Sequence, residues 1–324
     1  MSAGSCFAAR ISTLIRDAGV NFLVCEDRIE TEEQNIREET PNMFSLRYGN
    51  IYTARQLQQL LQRVSGERAV EAPVALDPNG RFRNLLRPSV LSYGSMAWLR
   101  ADDAAHLQNV GKLLCEADLF IFTLGLTEYW VDSESDLALP AAPGCGYGEY
   151  DPERHHFHNA SVAEVTQELE GAFALLRAIN PALRIMLTLS PVPLVATYEP
   201  TSAVEATFYS KSLLRQAISL AIESWPYKNV SYFPSYEIVT NPHVISENFE
   251  SDMRSISDAG VNRVMEHFRA RYIVSETLPS TGCGHIIIKA TPTSISIDQR
   301  VEVDPVCDEE NIWLAYVQMQ GDGQ

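Results

Sequence analysis

The sequence contains no run approaching the roughly 20 apolar residues that a membrane-spanning helix requires, so no bilayer span is expected. Positive charge is scarce: 25 Lys and Arg stand against 42 Asp and Glu, a net charge of −17. Such a surface repels phosphates, which argues against nucleic acid and anionic membranes as partners. No basic segment followed by an apolar stretch opens the chain, so no secretory leader is expected. The six cysteines, at 6, 25, 115, 145, 283 and 307, form no C-x-x-C. That scatter fits reduced thiols in a cytoplasm better than disulfides or a zinc site. There is no glycine-rich phosphate loop and no internal repeat. What remains is a cytoplasmic globular chain of 324 residues, 45% hydrophobic, with ample material for a buried core.

Phe7, Ile11, Leu14 and Ile15 share one helical face, with Gly19 as a stop. "NFLVC" (21–25) reads as a short strand, and the charged stretch 26–46 as a loop or exposed helix. "YTARQLQQLLQRV" (52–64) is amphipathic at helical period. After a Pro/Gly/Arg-rich connection (72–97), a helix is expected around 102–116. Three short apolar runs read as buried strands: "DLFIFTLG" (118–125), "RIMLTLSPV" (184–192) and "VSYFPSYEIV" (230–239). Helical patterns at 161–179 and 206–223 separate them, and a last helix is expected over 257–271. Buried strands alternating with helices predict an α/β fold, a three-layer α/β/α sandwich on a parallel sheet, over residues 1–275. Residues 276–324 carry the β-like runs "HIIIKAT" and "WLAYVQM" and are expected to form a small C-terminal extension.

In such folds ligands bind beyond the carboxyl ends of the strands. That directs attention to "GSC" (4–6), "YGN" (48–50), "GLTEYW" (125–130) and "SPVPL" (190–194). A small-small-Ser turn at a helix start puts the Ser5 hydroxyl where unpaired N–H groups and the helix dipole favour negative charge, as an acyl-transfer nucleophile needs. The same residue is also an ordinary N-cap. Cys6 offers a second nucleophile or a small buried packing residue. "SPVPL" stiffens a turn. Lys211 and Arg215, four apart in "YSKSLLR", are either cations for an anionic substrate group or a salt-bridged helix face. His155, His156 and His158 occupy a stretch read as a loop that can fold over the site or lie in solvent. Their side chains diverge, so no metal site and no cofactor are expected. His267 reads as a packed or surface residue.

"AGSCFA" (3–8), "FSLRYGNIYTARQLQQLL" (44–61), "FTLGLTEYW" (122–130), "NPALRIMLTLSPVPLVAT" (180–197), "YSKSLLRQA" (209–217) and "YFPSYEI" (232–238) together resemble the GSCFA family. That family is in turn similar to the SGNH, or GDSL-like, hydrolases. The resemblance implies Ser5 as nucleophile, with its own N–H among the oxyanion donors. It also implies Gly49 and Asn50 as the second-block oxyanion residues. Where the hydrolases have Gly-x-Asn this chain has Gly125-Leu126-Thr127, so Thr127 takes the place of the Asn as donor. Glu128, beside it, is an acidic site residue or a surface carboxylate. Before the last helix the family pattern calls for Asp-x-x-His; the chain has Asp252 followed by Arg254 and Ser255, without the His. A triad is defined by geometry, so His243, in the preceding loop, is the candidate base and Asp252 its orienting acid. Glu128, His158, Asn159, Lys211 and Arg254 are the candidate substrate-binding residues.

Only four residues precede Ser5, too few by this reading for the central first strand. The expectation is therefore that the start lies upstream or that "HIIIKAT" (285–291) fills the place. The function implied is ester hydrolysis or O-acyl transfer, of an acetyl-type group, on a carbohydrate such as a surface-polysaccharide precursor. The alternative is a binding or assembly protein that keeps the pocket without turnover. The oligomeric state is not legible in the sequence.

Overall fold

The computed structural model describes residues 1–17, 19–26, 44–145 and 148–273; the side chain of Cys6 and the "HIIIKAT" and "WLAYVQM" segments lie outside that description. In chain order the first elements are β1 (Ser2–Gly4), α1 (Cys6–Asp17), α2 (Ala54–Ser65), β2 (Val74–Leu76), β3 (Phe82–Asn84) and α3 (Met96–Glu116). The middle of the chain forms β4 (Leu119–Leu124), β5 (Glu128–Asp132), β6 (Leu137–Leu139), β7 (His155–Asn159), α4 (Val162–Ile179) and β8 (Arg184–Leu189). Then follow α5 (Ala203–Ser224), β9 (Val230–Phe233), α6 (Ser235–Val239), α7 (Ile245–Asn248) and α8 (Asp258–Tyr272).

The protein is a mixed α/β structure on a four-stranded parallel sheet of order β1-β4-β8-β9. Side chains alternate across it, as strand geometry requires. Phe120, Phe122, Leu124, Ile185, Leu187 and Leu189 face a core shared with α2, α3, α4 and α5. Ile121, Met186 and Phe233 face a second core with α1 and α8. The long helices start where the sequence supplies caps: capping boxes pair Thr53 with Gln56, Ser161 with Glu164 and Ser202 with Glu205. α2 stops at Gly66 in the left-handed conformation.

Several expectations are corrected. The three residues Ser2–Gly4 do make the first strand, pairing with Ile121, Phe122 and Thr123. The ladder runs on through an Ile121 N–H bond to the Met1 carbonyl at 3.0 Å. Residues 21–25 are irregular; among the described residues Cys25 donates to the Ser45 carbonyl at 2.8 Å. The run 230–239 is half strand and half helix: Pro234, with no N–H to give a ladder, ends β9 and precedes α6. α3 begins at Met96, since Ser95 caps the Trp98 amide. The histidine-rich stretch is the strand β7 rather than a loop, in a separate antiparallel sheet of order β6-β5-β7. Among the described residues no helix is long and apolar enough to cross a membrane.

Candidate active site

β1 ends at Gly4, which has φ of +144° and no room for a side chain: a Cβ there would meet the Thr123 carbonyl oxygen at 2.6 Å. Ser5 follows where α1 begins and is 2% exposed. Its Oγ is buried and, among the described residues, has no hydrogen-bond partner. A capping serine spends its hydroxyl on an amide of the first turn; Ser5 does not. An unpaired buried hydroxyl costs about 1–3 kcal/mol, the kind of expense that calls for a functional explanation.

Three stretches of chain converge on it. Ile51 N–H donates to the Gly4 carbonyl at 2.9 Å, and Gly125 and Leu126 both donate to the Tyr52 carbonyl, at 2.8 and 3.2 Å. Gly125 stands so close that a Cβ would meet the Tyr52 ring at 3.1 Å and Ser5 Cβ at 3.5 Å. From α5, Lys211 Nζ donates to the Gly125 carbonyl at 2.7 Å, and Ser210 Oγ accepts from Thr127 N–H at 3.2 Å. Thr127 is 1% exposed and, among the described residues, its Oγ1 has no hydrogen-bond partner. Asn50 is buried. The stretch leading to it is tied down by buried ion pairs: Arg47 and Arg87 both reach Asp102 at 2.9 Å, and Tyr93 adds its hydroxyl at 2.7 Å. Gly49 lies against Arg87 in that network. Removing one partner of such a pair strands a buried charge, so this anchorage is stiff.

Three assignments change. Gly125, expected among the oxyanion residues, has its N–H bonded to the Tyr52 carbonyl, and its missing side chain leaves space beside Ser5. Ser5 N–H, taken as an oxyanion donor, bonds the Thr123 carbonyl at 3.3 Å. Lys211 is no surface cation: it is 2% exposed and points at Gly125. Arg215 is the salt-bridged face instead, bonded to Glu237 at 2.8 Å and lying over the Tyr232 ring. Tyr52 and Ser210 were not singled out from the sequence. Ser210 adjoins Lys211 in the same motif, but only the packing of α5 on the 125–127 turn shows its use.

Glu128 and Asn159 sit opposite each other on β5 and β7. Burial pushes the Glu128 carboxyl above its ordinary range, while the Thr197 hydroxyl bonded to it at 2.7 Å opposes that rise. Asn159 donates to Glu199 at 3.0 Å. His158, one residue earlier, falls by strand alternation on the other face, where Nε2 lies 2.9 Å from Glu164 and the ring packs on Tyr129. The Glu128–Asn159 face continues with Trp130 opposite Phe157. Tyr198 and Tyr150 pack edge-on to Trp130 with centroids 5.0 and 5.5 Å away, and each is 52% exposed.

The acid is placed differently. Asp252 is exposed, and its Oδ2 accepts the Ser255 hydroxyl at 2.6 Å. Its Oδ1 accepts the amides of Arg254 and Ser255, each at 2.8 Å. The Ser255 hydroxyl first, then the Arg254 amide, hold the carboxyl below its usual value. Arg254, half-buried, belongs to the same turn. His243 is exposed with only its backbone N–H bonded, to Asn241 at 3.0 Å. Among the described residues no hydrogen bond joins its ring to Asp252 or Ser5, so the expected Asp252–His243 pair is not formed. No group of three His, Cys, Asp or Glu among the described residues is placed to hold a metal. A cleft opens beside Asn50, lined by Gln56, Arg63, Arg87 and His106; Ser5 and Thr127 do not line it.

Fold and site together define a mixed α/β protein with a buried serine at the end of its first strand. The GSCFA family model matches residues 1–268, and the chain belongs to the GSCFA family. No curated protein matches the sequence significantly. Two solved structures are similar at a low level. One is an acetyl xylan esterase, Est2A, from the rumen bacterium Butyrivibrio proteoclasticus, with 15% identity, 47% of this chain and 36% of that chain covered, and a TM-score of 0.26. The other is a carbohydrate esterase family 3 protein from Talaromyces cellulolyticus, with 13% identity, 67% and 87% covered, and a TM-score of 0.27. The chain thus spans about a third of the first. Likeness at this level does not bear on activity.

Proposed function

We propose that the protein is a serine-dependent ester hydrolase or O-acyltransferase that works through an acyl-Ser5 intermediate. The observation that carries this reading is the Ser5 hydroxyl: buried, at a helix start, not used as a cap, and without a partner among the described residues. The helices on the two faces of the sheet are read as the three-layer, SGNH-like arrangement. Ser5 Oγ attacks the acyl carbonyl carbon and yields its proton to a base. The Thr127 hydroxyl and the Asn50 amide donate to the oxyanion. The alcohol leaves with that proton, and water or an acceptor hydroxyl then releases the acyl group from Ser5. His243 is the candidate base; catalytic hydrogen bonds commonly tighten only when substrate binds.

The acyl group is read as acetyl-type and its carrier as a carbohydrate. The β5–β7 face supports this, because it begins beside Thr127 and offers half-exposed aromatic rings next to Glu128, Asn159 and Glu199. Aromatic faces suit the C–H surfaces of sugar rings, and carboxylates and amides suit their hydroxyls. A second reading, a binding protein without turnover, is favoured by one observation: Ser255 stands in the place of the His and occupies the Asp252 carboxylate.

A fluorophosphonate probe followed by peptide mass spectrometry separates the two. Labelling at Ser5, lost in Ser5→Ala, is the expected result. Absence of labelling in folded protein, together with no ester turnover, overturns the enzyme reading and leaves the binding protein.

A further inference from the structure

Lys211 is the residue whose placement the reaction above leaves unused. It is a lysine at 2% exposure, held by α5 with its ammonium on the carbonyl of Gly125, the residue packed against Ser5. Its neighbour Ser210 takes the Thr127 amide. The turn between them is pinned at nearly every backbone group. Gly125 and Leu126 give their N–H groups to Tyr52, Thr127 gives its N–H to Ser210, and the Thr127 carbonyl receives Ala160 at 3.0 Å. What the turn leaves without a partner, among the described residues, is the Thr127 hydroxyl. That hydroxyl has a shorter reach and a freer rotor than the amide side chain the related hydrolases carry there. Only a rigid backbone beneath it keeps it aimed, and donors aimed in advance are what stabilises a developing oxyanion.

We propose that Lys211, with Ser210, is a positioning residue for acyl transfer. The pair clamps the Gly125–Thr127 turn from behind, so that the Thr127 hydroxyl is fixed toward the acyl carbonyl on Ser5. The ammonium also puts a positive charge behind the turn, on the side where negative charge develops. Burying a lysine is costly unless its charge is used, and a clamp on the oxyanion turn is a use that spares the substrate any direct contact. This inference rests on the acyl-Ser5 reading.

The test compares wild type with Lys211→Met, which keeps length and loses the charge and the hydrogen bond. The probes are a fluorophosphonate, for the rate of Ser5 labelling, and 4-nitrophenyl acetate, for kcat and KM. The labelling rate and kcat are expected to fall by about 10², with KM within about threefold. Thr127→Val is expected to lower kcat comparably. The double variant should be little worse than either single one, because residues acting as one unit are not additive. Lys211→Arg should restore part of the loss.

Two results overturn the proposal: a rise in KM with kcat unchanged, which marks a substrate contact, or losses that multiply in the double variant. If Lys211→Met does not fold by circular dichroism, Ser210→Ala decides, with a three- to tenfold drop in kcat at constant KM expected and an unchanged kcat sinking the idea. Wild type that neither labels nor turns over removes the acyl-transfer reading itself. Wild type that labels while Lys211→Met labels equally fast removes only the role of Lys211.

Discussion

The serine end and the acid end of this site are built in opposite ways. Around Ser5 the bonds join distant parts of the chain: Lys211 to Gly125 across 86 residues, Ser210 to Thr127 across 83. Ser5, Asn50, Thr127, Ser210 and Lys211 are all buried. Around Asp252 the described bonds to the carboxylate come from within three residues, and Asp252 lies exposed. A local turn forms wherever its few residues allow, whereas the serine end exists only when the whole sheet is assembled. A nucleophile and its oxyanion donors need that kind of fixed geometry. An orienting acid spent on its own turn is not available to a histidine.

The hardest blow to this contrast is Ser5→Ala. It should abolish labelling and lower esterase kcat by at least about 10³. Stability should hold or rise, by up to about 1 kcal/mol, since an unsatisfied buried hydroxyl is removed. Thermal melts and probe labelling read both; activity that survives breaks the serine assignment.

Next comes Gly4→Ala. The added Cβ meets backbone at 2.6 Å, in a conformation L-residues avoid. The expected loss is about 2–4 kcal/mol in urea unfolding. A neutral result would show that β1 is not held in its place beside β4.

Burial in the serine half can also be weighed with a proton. Glu168 on α4 is buried, and its carboxyl is pushed up to about 7, chiefly by desolvation and partly offset by Arg55. Its unfolded value is near 4.3. Between those values the folded state binds a proton that the unfolded state has lost. Stability from this group is therefore fully present below about pH 4 and declines as pH rises toward 7, by about 1.4 kcal/mol per unit at most. Glu168→Gln should remove that decline and be more stable than wild type at pH 8, though not at pH 4. Parallel pH profiles in denaturant melts would contradict it.

The smallest effect is expected at the acid end. Asp252→Asn should change kcat by less than about threefold and stability by about 1 kcal/mol or less, as for loss of a local capping bond. A loss of 10²-fold or more would show that Asp252 leaves its turn to serve the reaction, and would restore the triad that the local bonding argues against. The same measurement on His243→Ala, with the pH dependence of kcat, tells whether that exposed ring works with it.

Much of this was legible from one dimension. The apolar runs at 118–125 and 184–192 hold strands of a parallel sheet, and the helical patterns at 161–179, 206–223 and 257–271 fall on helices. Such signals are local: period, cap and breaker act within a turn or two. The errors share a cause as well. The four residues before Ser5 read as too few for a strand, yet β4 supplies the ladder that makes Ser2–Gly4 one. Lys211 read as a surface cation because nothing near it in sequence announces that α5 packs it under Gly125. The histidine stretch read as a loop because its pairing partner, β5, lies more than twenty residues away.

What the amino-acid order determined by itself was the class of fold, the small residues Gly4 and Gly125 that allow close approach, and the hydroxyl at position 5. Tertiary structure alone decided which of the polar residues are buried in the serine half of the sheet, because burial and direction depend on partners from every part of the chain. It brought Ser210 and Lys211 onto the Gly125–Thr127 turn, whose Gly125 packs against Ser5, and left Asp252 bonded to its own neighbours. The physical reason is that local bonds form from nearby residues alone, whereas an aimed, water-poor site needs many distant groups ordered at once.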